Sequence, residues 1–437
     1  MKKHLLIWTF GIASVMLFAQ SAEQIPITKA EVLAKVDAQN RSIKIAEQNY
    51  NSAKAGFSQA NAVILPTISV SHTAMVTTNP LMAFGSKLNQ EVLTAADFNP
   101  TLLNDPDQIE NYATRVAFEQ PLINVDGFYQ RKAAKTQMQA TKLQWDRSID
   151  YVYLEVDKAY MQLQLAHKAV AVMQQAVATA EANQKVAKDN LEAGYMQQAD
   201  FLSVQIQVNQ LKDQLKMAES QLQNASDYLG FIMNQPSEAI FQPTDSLAIQ
   251  LIDNGITELS ENRADIQAMS LATDAYKQMH QSDKMSFLPR LNAFGSYELY
   301  DDELFRADAN GYLLGAQLSW TVFEGAKRIG KTKQSGANSQ KATLEYEQYV
   351  SQSKLEINQA KRQLADAQHQ FETAQLAQQQ AKEVLRIRTN RFKEGLEKTT
   401  DLLMAETQYA QMQLAYYQSI FAYNLAQSTL TFLTDTN

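Results

Sequence analysis

Ala193-Gly194-Tyr195-Met196-Gln197-Gln198-Ala199-Asp200-Phe201-Leu202 decides how this chain folds, because it occurs twice. Its twin is Glu394-Gly395-Leu396-Glu397-Lys398-Thr399-Thr400-Asp401-Leu402-Leu403. In both, Asp stands six residues after Gly and two apolar residues follow it. A very long helical pattern precedes each Gly, and a shorter one follows each Asp. Gly suits a helix C-terminus because it reaches positive φ without strain. Asp suits the N-cap of the next helix, where its carboxylate accepts orphan N–H groups. Each stretch therefore reads as the tip of a helical hairpin, and the pair marks an internal duplication.

Working back from the first tip, nothing between about Phe128 and Ala193 breaks a helix: there is no Gly and no Pro. Val152, Val156, Ala159, Leu163, Ala166, Val170, Met173, Val177 and Ala180 recur in alternating steps of four and three. That is a coiled-coil seam. Such a helix would extend roughly 100 Å. After the tip, Val204, Val208, Leu211, Leu215, Ala218, Leu222, Ala225 and Leu229 keep the spacing, but only to Gly230. The second tip is flanked likewise. A long helix over about 326–394 carries Ile357, Ala360, Leu364, Ala367, Phe371 and Ala374, and a shorter one runs to about Phe432. Each long helix is expected to pack beside two short ones stacked end to end.

Upstream of each long helix the period changes from helical to two. Thr67–Thr78 places Ile68 and Val70 on one face and Thr67, Ser69 and Ser71 on the other. Ala113–Ile123 sets Val116, Phe118 and Leu122 against Arg115 and Glu119. The second half repeats this over Arg290–Tyr300, with Leu291, and over Tyr312–Phe323, with Leu314, Leu318 and Trp320 on one side. Helices over about 30–63 and 259–287 precede the strand pairs and stop at Leu65-Pro66 and Leu288-Pro289. Residues 79–111, with Pro80, Gly85, Pro100 and Pro106, read as a long loop. The domain reading is a first repeat at 23–230, a connector at 231–257 and a second repeat at 258–437.

Met1-Lys2-Lys3-His4, then the apolar run Leu5–Phe18 and the small residues Ala19, Ser21 and Ala22, read as a signal peptide over 1–22. No later segment approaches 18 consecutive apolar residues, so no spanning helix is expected. The chain has 437 residues and 39 basic against 47 acidic side chains, a net charge of −8, which argues against nucleic acid as a partner. There is no Cys, which excludes disulfides and thiolate metal sites. The five His residues, 4, 72, 167, 280 and 369, have no ligand spacing, and no nucleophile–base pair or phosphate loop is present. Neither an enzyme nor a cofactor or metal site is expected.

Strands of about 10–11 residues match the tilted span of an outer-membrane barrel. Four strands cannot close a barrel, and open edges are not tolerated in lipid. Other copies of the chain must complete it, in a dimer at least; a trimer would supply twelve strands and a wider lumen. Tyr297, Trp320, Phe118 and Tyr312 fit an interfacial girdle or ordinary sheet packing.

In this order and duplicated, these features resemble the TolC-like outer-membrane efflux proteins. The resemblance also rests on Pro121-Leu122-Ile123-Asn124, Thr321-Val322-Phe323-Glu324-Gly325 and Arg263-Ala264-Asp265-Ile266, and covers essentially the whole mature chain. It implies an α+β membrane protein. Long coiled-coil hairpins would form a periplasmic α-barrel, and four strands per chain would enter a shared trimeric outer-membrane β-barrel. It implies a passive exit duct for small molecules, docked on a periplasmic adaptor and served indirectly by an inner-membrane pump. Protein secretion is the alternative within that class, and a periplasmic coiled-coil scaffold without a pore the alternative outside it. Gly194, Tyr195, Gly395 and Leu396 would then meet the adaptor, while Asp200 and Asp401 would stand at the periplasmic gate. Leu291, Leu314, Leu318 and Trp320 would face lipid. Met404 and Glu397 stand where the family can carry an acid and a base.

Overall fold

A computed structural model describes residues 24–236, 239–250 and 258–434. The signal-peptide reading of 1–22 lies outside them, as do 251–257 of the connector. The elements are β1 (Gln24–Ile27), α1 (Lys29–Gln39), α2 (Arg41–Ala60), β2 (Thr67–Thr77), α3 (Pro80–Asn89), α4 (Pro100–Asn104), β3 (Ile109–Ile123), α5 (Val125–Glu192) and α6 (Gln198–Ile232). They continue as β4 (Ile240–Pro243), α7 (Ala264–Met285), β5 (Arg290–Asp301), β6 (Ala309–Ser319), α8 (Lys327–Lys393) and α9 (Thr399–Thr434). The order helix, two strands, long helix, short helix thus occurs twice. The described residues fall into two compact units, and α5 and α8 contribute to both.

Among the described residues, the first unit draws on 24–41, 151–236, 239–250 and 359–432 and is mostly helical. Its core is the seam expected from the heptads: Val156, Leu163, Ala180, Val208 and Leu229 are almost wholly buried. Each fully buried Val or Leu contributes about 1.5–3 kcal/mol. Val177 and Ala180 of α5 meet Val208 and Leu211 of α6, and Val172 and Met173 meet Ala218 of α6 and Ala410 of α9. The connector is more regular than expected, since β4 pairs in parallel with β1 from Gln24↔Ile240 to Ile27↔Pro243. The single helix expected over 30–63 is two helices and a short 3₁₀ turn. Asn40 adopts an extended conformation at the break, and its buried side chain donates to Ile232 O at 2.8 Å.

Among the described residues, the second unit draws on 42–150, 258–358 and 433–434 and carries an antiparallel sheet of order β2-β3-β5-β6. Register places Ile68, Val70, Val116, Phe118, Leu291, Tyr297, Tyr312, Leu314 and Leu318 on one face. Ser69, Ser71, Thr73, Arg115, Glu119, Asn292, Glu298 and Gln317 share the other. Residues opposite one another across an antiparallel ladder point the same way, so this sheet has one apolar and one polar side. Gly295 sits on the apolar side, where Phe118 and Leu314 fold over it; a Cβ there would lie 2.3 Å from the Phe118 ring.

The sheet corrects the sequence reading in three places. Register shifts between Pro121 and Ile123, so Ile123, not Leu122, pairs with Leu291; Pro121 has no N–H to keep the ladder regular. β6 ends at Ser319, opposite Arg290, because Pro289 supplies no N–H beyond it. Trp320 is therefore past the strand, donating from Nε1 to Phe287 O at 3.0 Å. The supposed loop over 79–111 holds α3. Asn79 caps α3 through Met82 N at 3.2 Å, and Pro80 begins the helix rather than breaking it.

Arg263, just before α7, is 2% exposed. It donates to both Asp265 carboxylate oxygens at 2.7 and 3.0 Å, to Leu433 O at 2.7 Å and to Ser353 Oγ at 2.8 Å. Tyr349 also donates to Asp265, at 2.7 Å. Burial pushes the Asp265 carboxyl up, but hydrogen bonds from Arg263 and Tyr349 and the nearby Arg147 charge outweigh it and hold the group below its ordinary value. Burial and the Asp265 contact push the Tyr349 phenol up to about 12. The Arg263-Ala264-Asp265-Ile266 motif is thus a buried charge clamp.

Candidate functional site

Both tips close by the same backbone device. Gly194 and Gly395 have φ of +81° and +70°. Gly194 N donates to Leu191 O at 3.0 Å and Tyr195 N to Asn190 O at 2.8 Å. Gly395 N and Leu396 N repeat this to Phe392 O and Arg391 O at 3.0 and 2.9 Å. This paired pattern is the Schellman motif, and it needs the left-handed residue that Gly supplies. Tyr195 is then 86% exposed and Leu396 66% exposed. Leu202, Ile206 and Met404 add further exposed apolar surface in the second and third turns of α6 and the second turn of α9.

Asp200 and Asp401 are not N-caps. The N-cap of α6 is Gln197, which makes no side-chain capping bond, and Asp200 is the third helical residue. Asp401 is likewise third in α9, with its own N–H donated to Lys398 O at 3.1 Å. Both acids still lie in a first turn, where the helix dipole favours negative charge.

Beyond the backbone the two tips differ. Glu397 accepts from Arg388 Nη1 at 2.6 Å and Arg391 Nε at 2.8 Å, and Arg391 also donates to Leu396 O at 3.1 Å. Arg388 Nη1 lies 3.5 Å from Asp401 Oδ2. The Arg391 hydrogen bond and the two guanidinium charges hold the Glu397 carboxyl below its ordinary value. At the first tip the corresponding positions are Met196, Ala187 and Asn190. There the contact is apolar: Met196 packs on a core of Ala187, Val204, Phe392 and Leu402. Both tips thus share one apolar core, and only the second adds a charge brace.

Sequence reasoning missed Glu406. It is buried on α9, and Asn183 of α5 donates to its Oε1 while Oε2 has no protein partner. Burial pushes its carboxyl above the ordinary range. The available signal was an acid one turn after Leu402, inside an apolar stripe.

On the sheet, Leu291, Leu314 and Leu318 share the apolar face, and Leu291 pairs directly with Leu318. Trp320 does not join them on the strand. Among the described residues no helix is long and apolar enough to cross a membrane, and no group of side chains is arranged to hold a metal ion.

The family model for outer membrane efflux proteins matches residues 32–235 and 255–435. No curated protein matches the chain. Among solved structures, the fold is similar to a membrane protein from Pseudomonas aeruginosa, with a TM-score of 0.81, 18% identity, and 93% and 92% of the two chains covered. It is also similar to the Campylobacter jejuni CmeC outer membrane channel, with a TM-score of 0.80, 14% identity and coverage of 94% and 86%. VceC, an outer membrane protein of Vibrio cholerae, gives a TM-score of 0.79, 16% identity and coverage of 94% and 97%. At these identities the likenesses show the fold alone. The family match, over nearly the whole described chain, shows the rest: this chain belongs to the outer membrane efflux protein family, a family of channels rather than enzymes, and it is an outer-membrane efflux channel that extends into the periplasm.

Proposed function

We propose that three copies of this chain close one pore, which serves as the passive exit duct for small molecules. A periplasmic adaptor would deliver them from an inner-membrane pump. The observation that carries the reading is the sheet's pair of unpaired edges. β2 and β6 end the order β2-β3-β5-β6, and between them runs a face too apolar for water. Edge strands in lipid must be paired, and three copies supply the twelve strands of a barrel with an open lumen. The duplicated element order supports repeats at 23–230 and 258–437 joined by the connector at 231–257.

Leu291, Leu314 and Leu318 then face lipid, with Trp320 at the boundary on the helical side. The exposed apolar tips around Gly194, Tyr195, Gly395 and Leu396 suit an adaptor, since apolar surface of that kind marks a protein contact. Threefold repetition turns Asp200 and Asp401 into rings of charge near the entrance, a construction that favours cations. Purified protein is expected to cross-link through lysine to a limit at trimer and to conduct in planar bilayers. A limit at dimer, or trimers that never conduct, refutes the reading. Affinity capture of the adaptor and pump by the intact channel tests the partners.

A further inference from the structure

The connection between β2 and β3 is a built element at the end of the sheet remote from the long helices. α3 lies against the polar side of the sheet, packed on β3 and β6. Ala83, Ser86 and Gln90 form its buried stripe, and Asn111 and Ala309 beneath it are also buried. Gln90 Nε2 donates to Glu110 O at 2.9 Å, Asn111 Oδ1 at 2.9 Å and Asp301 O at 3.0 Å. Lys87 pairs with Asp97 at 2.8 Å, and Asp97 accepts from Thr94 N at 2.7 Å. The connection is therefore fastened at the C-terminal end of α3.

The opposite side of α3 has no partner. Leu81 is 81% exposed and Leu88 is exposed too, and between them Gly85 has open space where a Cβ would stand. At about 100° per residue these three lie roughly opposite the buried stripe. Their spacing of four and then three is that of a coiled-coil seam, and a Gly in such a seam lets helices approach closely. Val92, Phe98 and Leu102 extend the exposed apolar rim. On the trimeric reading the polar side of the sheet lines the lumen, so an apolar surface is out of place there.

The occupant follows from the sheet edges. β2 leads directly into α3, and β2 is an edge that another copy must pair. Resting on the trimeric reading, each lumen mouth holds three copies of α3, each backed by its own sheet and presenting apolar side chains to the axis. We infer that α3 is a hydrophobic stopper of the outer mouth, in which Leu81, Gly85 and Leu88 from three copies pack on one another across the lumen. An apolar constriction resists water and ions by dewetting, which lowers conduction, and it widens when the helices part around cargo.

The chain contains no Cys, so single-cysteine variants are unambiguous. Full-length Leu81→Cys, assembled in outer membranes and oxidised, is expected to give disulfide-linked dimers, with one chain of each trimer left over. Leu314→Cys on the apolar face is expected to give none. In planar bilayers the Leu81→Asp, Leu88→Asp double variant is expected to conduct at least twofold better than wild type. If neither Leu81→Cys nor Leu88→Cys gives dimers in protein that lysine cross-linking shows to be trimeric, the stopper is refuted and the trimer stands. Disulfides that join one trimer to another refute it too, since the stripe would then lie between channels. Dimers with unchanged conductance in the Asp variant show contact without obstruction and also overturn it. If wild-type protein never reaches trimer, it is the underlying reading that fails.

Discussion

Leu314→Arg tests the membrane assignment with a magnitude that depends on depth. β6 has 11 residues, and Leu314 is central in it. At about 3.4 Å per residue and a tilt near 40°, the strand rises roughly 28 Å, close to the ~25 Å apolar band of such barrels. Leu314 therefore sits near the midplane and is 66% exposed on the apolar side. Leu318 lies four residues on, about 10 Å nearer the boundary. An outward-facing Arg costs about 2–4 kcal/mol at the midplane and about 0–1 near the interface, so Leu314→Arg should cost several times more than Leu318→Arg. Threefold repetition raises the midplane cost to about 6–12 kcal/mol per barrel. Gln317→Arg, on the polar side, should cost little. Denaturant titration of vesicle-inserted protein, followed through Trp320 emission, gives the three values. Equal losses at Leu314 and Gln317 would refute the facial assignment. A larger loss at Leu318 than at Leu314 would refute the depth.

Asp401→Asn together with Asp200→Asn is expected to lower cation selectivity, seen as a smaller reversal potential in a salt gradient; an unchanged potential would leave these acids no role at the entrance. Glu406 holds its proton more tightly folded than unfolded. Stability should therefore fall as pH rises from about pH 5 towards neutrality, and Glu406→Gln should flatten that fall. Melting curves at several pH values check this, and wild type gaining stability over that range relative to the variant contradicts it. Arg263→Met strands the buried Asp265 and should cost about 3–5 kcal/mol, towards the lower end because Tyr349 and Arg147 remain. Adding Asp265→Asn should recover part of the loss in a thermal melt, and no recovery would mean the clamp is not the cause. Glu397→Gln should speed amide exchange at the second tip and leave the first unchanged, because only the second is braced by charge.

The sequence alone determined what depends on near neighbours. Heptad steps in α5 and α6, alternation in the four strands and the two Gly tips are local patterns, and each dictates a backbone conformation wherever it sits. The duplication and the need for other copies followed from counting those elements. Tertiary structure decided what depends on partners distant in the chain. Asp401 lies near Arg388, and Glu397 is gripped by two arginines, only because the tip folds back on α8. Trp320 left its strand because the β5 ladder ends at Pro289. Pro80 starts a helix because Asn79 can cap it, and that helix has a place because Gln90 reaches Asp301 across 211 positions of sequence. Burial made Glu406 unusual, and burial is a property of packing. Local periodicity sets conformation, but only the assembled fold determines what each side chain meets.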